Sequence, residues 1–199
     1  MSLAAVTEAA GAGHAALAAA ATRARSDPGS CAVILVEGMS DQATVQTVAE
    51  RSGRDLPAEG IFVVPMGGAT NIGHFVYLFG PAGFGVRLAG LCDQGEERDF
   101  RRGLDRVAPY FVCVADLEDE LIRALGTSRV QELIEAEGES GQFRTFTRQP
   151  AHRGEDRDQQ LRRFMGTRSG RKIRYGHVLA TALDLTRIPA PLAGLLSAV

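Results

Sequence analysis

The chain has 199 residues, a formal net charge of −2 and a hydrophobic share of 45%, enough for one ordinary domain with a proper core. No run of about 18 apolar residues offers a membrane span. The Ala-rich start carries Glu8, His14, Arg23 and Arg25 where a secretory leader would be basic and then apolar, so a cytoplasmic setting is expected.

Residues 2–25 read as one or two leading helices, interrupted by Gly11 and Gly13 and ended by the turn cluster at 26–30. Ala32 to Val36 is a continuous apolar run with β-branched residues, the pattern of a strand buried on both faces. Apolar positions Ala43, Val45, Val48 and Ala49 then mark a helix over 41–51, with Ser40 as its N-cap and Gly53 beyond its end. The pattern repeats. Strands are expected at 61–64, 86–92 and 110–114, and helices at 75–79, 96–107, from about 119, and at 128–137. Alternation of this kind predicts an α/β, Rossmann-like domain with a central parallel sheet of about four strands flanked by helices. Residues 141–170 are polar and weakly periodic, either a mobile loop or a binding arm, and closing helices are expected at 173–185 and 192–199. The chain thus divides into a helical segment (1–29), a core (30–140), and an Arg-rich arm with a closing helical appendage packed on the same domain (141–199).

In open parallel sheets, ligands bind beyond the carboxyl ends of the strands. Glu37 follows the first strand, Asp93 the third, and Asp116 and Glu118 the fourth; Asp41 lies one helical turn after Glu37. Clustered carboxylates repel one another, and a hard divalent cation removes that repulsion. Oxygen ligands without His or Cys suit Mg2+ or Mn2+. Acidic residues also favour helix starts, which is the plain alternative for any one of them. Glu96, Glu97, Asp99, Asp119 and Glu120 are read that way, as solvated first-turn charges.

Charge is unevenly divided. Residues 1–143 hold 11 basic and 20 acidic side chains, whereas 144–174 hold 10 basic and 3 acidic. Arg162, Arg163, Arg168, Arg171 and Arg174 in this arm are expected to meet nucleic acid, since guanidinium forks match phosphate oxygens. Phe143, Phe146 and Phe164 could stack on bases or anchor the arm in the core. The Gly67-Gly68 turn could cradle a phosphate or be a plain tight turn. Cys31, Cys92 and Cys113 share no ligand spacing and read as buried free thiols. Lys172 is the single lysine in a chain rich in Ala, Gly and Arg, a composition that fits a GC-rich bacterial coding bias.

The stretch Val33-Ile34-Leu35-Val36-Glu37-Gly38-Met39-Ser40-Asp41 resembles the opening motif of toprim domains of the OLD (overcoming lysogenization defect) nucleases, V-E-G-x-[ST]-[DE] after an apolar strand. Pro65-Met66-Gly67-Gly68 with Asn71 is similar to their turn after the second strand. Leu91-Cys92-Asp93-Gln94-Gly95 stands where the family has D-x-D, and Val114-Ala115-Asp116-Leu117-Glu118 resembles the later acidic motif. The resemblance runs over about 30–199 and implies a toprim fold with metal-dependent chemistry on nucleic-acid phosphodiesters, most simply endonuclease-type hydrolysis, on DNA ahead of RNA. It implies Glu37 as metal ligand or general acid/base, Asp41, Asp93, Asp116 and Glu118 as metal ligands, and Lys172 as the group that stabilises charge on the phosphate. Two departures stand out. Gly95 replaces the second carboxylate of D-x-D, leaving Glu96 or Glu97 as substitutes, and no G-x-x-x-x-G-K-[ST] is present, so an ATPase would come from a partner chain. The alternative function is a degenerate module that binds nucleic acid or a partner ATPase without full catalysis.

Overall fold

The computed structural model describes residues 3–199, with side chains from residue 13 onward except Ser169. Helix α1 (Leu3–Ser26) leads into strand β1 (Ala32–Val36), α2 (Met39–Arg51), β2 (Ile61–Pro65), α3 (Ile72–Phe79), β3 (Arg87–Asp93), α4 (Glu97–Leu104) and β4 (Tyr110–Cys113). Six helices follow among the described residues: α5 (Leu117–Leu125), α6 (Thr127–Ala136), α7 (Ser140–Thr147), α8 (Arg157–Gly166), α9 (Ser169–Ala182) and α10 (Ala190–Ser197). The four strands form one parallel sheet of order β2-β1-β3-β4.

Every residue of β1 is buried. Because side chains alternate across a strand, Ala32, Ile34 and Val36 join the core under α2 and α5 to α10. Val33 and Leu35 join the opposite core under α1, α3 and α4. The expected three layers are thus present, and the three cysteines are buried and unpaired, as expected. No helix of the described residues is long and apolar enough to cross a membrane.

Two local expectations are corrected and one open alternative is decided. The N-cap of α2 is Gly38, in extended conformation; its N–H donates to Asp41 Oδ2 at 2.9 Å, so Ser40 is inside the helix. The Gly67-Gly68 turn is structural: both N–H groups donate to the Glu37 carbonyl at 3.0 and 3.2 Å, leaving neither for a phosphate. Gly67 and Gly68 hold φ of 72° and 127°, which a side chain resists. The segment 141–170 is mostly helical, comprising α7, α8 and the start of α9, with a turn region at 148–156 between α7 and α8. Phe143, Phe146 and Phe164 are buried and pack edge-on against one another, so they anchor these helices in the core.

Helix α9 lies tightly on α2. A Cβ on Gly176 would stand 2.8 Å from the Ser40 carbonyl oxygen, so glycine permits the approach. Thr44 Oγ1 donates to the Gly176 carbonyl at 3.2 Å, and Thr47 Oγ1 lies 2.8 Å from His177 Nδ1. This contact sets Lys172, at the start of α9, beside Ser40 and Glu118.

Candidate acidic site at the sheet edge

Parallel pairing puts the ends of β1, β3 and β4 side by side, with neighbouring strands about 4.8 Å apart. Strand order reverses between β1 and β3, the point at which open parallel sheets form a ligand crevice beyond the strands' carboxyl ends. Glu37, after β1, and Asp93, at the end of β3, stand on either side of that point. Asp116 follows β4 through Ala115, whose φ of 68° is left-handed and strained for a residue with a Cβ. Asp116 caps α5, accepting from Asp119 N–H at 2.8 Å.

The acids share one electrostatic environment. Burial pushes Asp93 up to about 8, with Asp41 and Asp116 adding repulsion. Burial pushes Asp41 up to about 7, aided by Glu118. Glu37 is raised by burial and by Glu96 beside it. Lys172 works in the opposite sense on all three. Burial disfavours its own charge, but Glu118, Asp41 and Asp116 outweigh this and hold it above the ordinary lysine range.

Two cations are already bound within the cluster. Lys172 Nζ lies 3.3 Å from Oε2 of Glu118, a residue only 3% exposed whose Oε1 accepts from Ser40 Oγ. Arg162 Nε donates to Asp116 Oδ2. As the side chains stand, no three or more His, Cys, Asp or Glu among the described residues converge to hold an ion. The acids are neighbours, with Lys172 and Arg162 neutralising part of the charge an ion would take.

The donor set nevertheless suits a hard divalent cation. It is all oxygen; Glu96 Oε2 is buried without a hydrogen-bond partner, and Glu118 Oε2 is buried with the Lys172 ammonium as its counter-charge. Buried oxygens left unbonded are unfavourable and invite a cation or proton.

The remaining acids and arginines divide. Glu97, Asp99 and Asp119 pair with Arg101, Arg102 and Arg123 on helix surfaces, as first-turn charges do. Glu120 departs from that reading: it is 8% exposed and accepts from Val114 N–H at 2.9 Å, fixing the β4–α5 turn. Glu96 also departs, reaching Glu37 from the short 3-10 turn after Asp93. No local pattern separates these two from their solvated neighbours; only the tertiary fold does.

Arg163 stands exposed and Arg162 part-exposed beside Asp116, Glu118 and Lys172, and Arg168 is exposed at the start of α9. Arg171 is 8% exposed, hydrogen-bonded to Glu139, Gln142 and Thr167 and lying 4.1 Å over the Phe164 ring, so it is withdrawn from any surface contact. Arg174 is turned to Glu137 and Glu139.

Fold and rim together define a TOPRIM-type α/β domain. The family model for the overcoming lysogenization defect protein-like TOPRIM domain matches residues 30–94. The C-terminal region of the Burkholderia pseudomallei OLD protein superposes with a TM-score of 0.65 at 22% identity, over 84% of this chain and 96% of that one. The C-terminal region of the Xanthomonas campestris pv. campestris OLD protein gives 0.65 at 26% identity, over 83% and 92%. No curated protein matches the chain. Residues 30–94 thus match the OLD-like TOPRIM model, and the likeness of fold extends over most of the chain. TOPRIM domains generally bind divalent metals, and this match implies metal-dependent chemistry related to nucleic acid in general terms.

Proposed function

We propose that this protein is a Mg2+- or Mn2+-dependent nuclease that hydrolyses phosphodiester bonds, with DNA ahead of RNA as substrate. One observation carries the reading: acids from three parallel strand ends and a single lysine influence one another across one crevice. Glu37, Asp41, Asp93, Asp116 and Glu118 would hold the metal, which when bound would activate water and neutralise charge on the phosphate. Glu37, raised by burial, is suited to move a proton at its carboxylate. Lys172 would turn from Glu118 to a phosphate oxygen as an ion takes over the carboxylates. Glu96 stands in for the carboxylate absent at Gly95, and Arg162, Arg163 and Arg168 would contact the nucleic-acid backbone. We place the protein in the bacterial cytoplasm, and an ATPase would act as a separate partner.

A second reading, a binding module without full catalysis, is favoured by Gly95 and by the absence of a preformed set of three ligands among the described residues. Incubation with supercoiled, single-stranded and duplex DNA and with RNA, in Mg2+, Mn2+ or chelator, separates the two. Metal-dependent cleavage that Glu37→Gln and Asp93→Asn both abolish supports the nuclease. Equal cleavage in all three proteins marks a contaminant, and tight binding without cleavage marks the module.

A further inference from the structure

A cavity of about 630 Å3 opens against the acidic site, within the roughly 300–1,000 Å3 of small-ligand sites. Its walls differ in chemistry. Asp116, Glu118 and Lys172 form the side shared with the rim, Arg162 and Arg163 of α8 a second, and Phe146 with His152 a third.

The third wall is a built platform. The His152 ring lies on Phe146 with centroids 4.0 Å apart and planes inclined by 19°. Phe146 packs edge-on against Phe164, which is 1% exposed, so the stack is anchored in the core. Glu155 holds the imidazole through Nδ1 at 3.2 Å and Arg163 through Nε at 3.0 Å. One carboxylate therefore fixes both an aromatic ring and the guanidinium beside it. Arg162 likewise uses Nε on Asp116. Among the described residues the ion pairs of both arginines run through Nε, and a guanidinium fork suits phosphate oxygens through its η nitrogens.

We infer that this cavity is a subsite for one unpaired nucleotide of a nucleic-acid strand. The base stacks on the His152 imidazole, its phosphate lies on Arg162 and Arg163, and the neighbouring phosphodiester is thereby set against Asp116, Glu118 and Lys172. The inference rests on the nucleic-acid reading above and adds that the strand is unpaired at this point. Within a duplex the base faces are covered by their neighbours, and only an unpaired base offers a face to an aromatic ring.

Binding in Ca2+ of a fluorescent single strand carrying one 2-aminopurine, the same strand with an abasic site, and a blunt duplex tests this. The wild type is expected to bind the intact single strand more tightly than the duplex and to quench 2-aminopurine. His152→Ala is expected to lose about tenfold, or 1.4 kcal/mol, on the intact strand, nothing on the abasic strand or duplex, and to leave the probe unquenched. His152→Tyr restores both. Melting curves accompany each variant; if His152→Ala does not fold, His152→Leu against His152→Tyr carries the comparison. Equal losses on all three nucleic acids, or none on the single strand, would overturn the subsite. Its failure is distinct from failure of the nuclease reading. A protein that cleaves in Mg2+ while His152→Ala binds single strands normally refutes only the subsite. One that shows the binding pattern and never cleaves refutes only the nuclease.

Discussion

Lys172 holds its ammonium 3.3 Å from the buried carboxylate of Glu118, joining the start of α9 to the start of α5 at the mouth of the acidic crevice. Glu118 brings a charge into a nearly solvent-free position, and Ser40 Oγ bonds only one of its oxygens. The lysine is the other oxygen's counter-charge.

Removing that cation strands the carboxylate. Lys172→Met is expected to destabilise the metal-free protein by about 1–2 kcal/mol, less than for a fully buried pair because Lys172 is part-exposed. The Lys172→Met/Glu118→Gln double variant should lose less than the sum of the single losses. Urea unfolding of the four proteins checks both statements.

Gly176 tests the scaffold beneath the site. Its hydrogen faces the Ser40 carbonyl, and a Cβ would stand 2.8 Å from that oxygen. Gly176→Ala should force α9 away from α2 and cost about 1–3 kcal/mol. Because Lys172 rides on α9, cleavage should fall in the same variant under conditions where it remains folded.

Asp93 should limit stability in the metal-free state. Its pKa is raised by burial and then by Asp41 and Asp116. A carboxyl raised in the folded state contributes stability at low pH that is lost as pH rises through about 8. Asp93→Asn should therefore raise the melting temperature of metal-stripped protein at pH 9 by a few degrees and change it little at pH 5. Melting curves at the two pH values decide it.

Glu139 behaves in the opposite sense. Burial pushes its pKa up, but hydrogen bonds from Arg171, Arg174 and Tyr175 outweigh burial and lower it overall. Its contribution is present above the unfolded-state carboxylate value and lost as pH falls through the folded one. Glu139→Gln should lose about 3 kcal/mol at pH 7, because Arg171 is left buried without its carboxylate. That difference should shrink toward pH 3 in denaturant titrations.

The sheet was readable from residue type because buried parallel strands must be apolar throughout. Ala32–Val36 and Ile61–Pro65 announce themselves, and the acids that follow Val36, Cys92 and Ala115 are conspicuous against them. The closing helices expected at 173–185 and 192–199 are present as α9 and α10, but α7, α8 and the first turn of α9 were not readable as such. Their buried positions include Gln160 and Arg171, whose polar groups are satisfied by His152 and by Glu139, so the apolar period is broken. The same cause hides half-buried Glu96 and buried Glu120, which meet Glu37 and Val114 N–H outside their own turns. The Arg162–Asp116 pair, which joins an expected phosphate contact to an expected metal ligand, links residues 46 positions apart. No spacing rule reaches that far.

Titration of the metal-free protein with Mn2+, followed by calorimetry and by loss of the free-ion electron paramagnetic resonance signal, bears on the crevice most directly. Saturable binding is predicted for the wild type, with affinity lower by about tenfold or more in Glu37→Gln and Asp93→Asn. Binding of equal strength in all three proteins, or none in the wild type, would contradict a cation pocket formed by the strand-end acids.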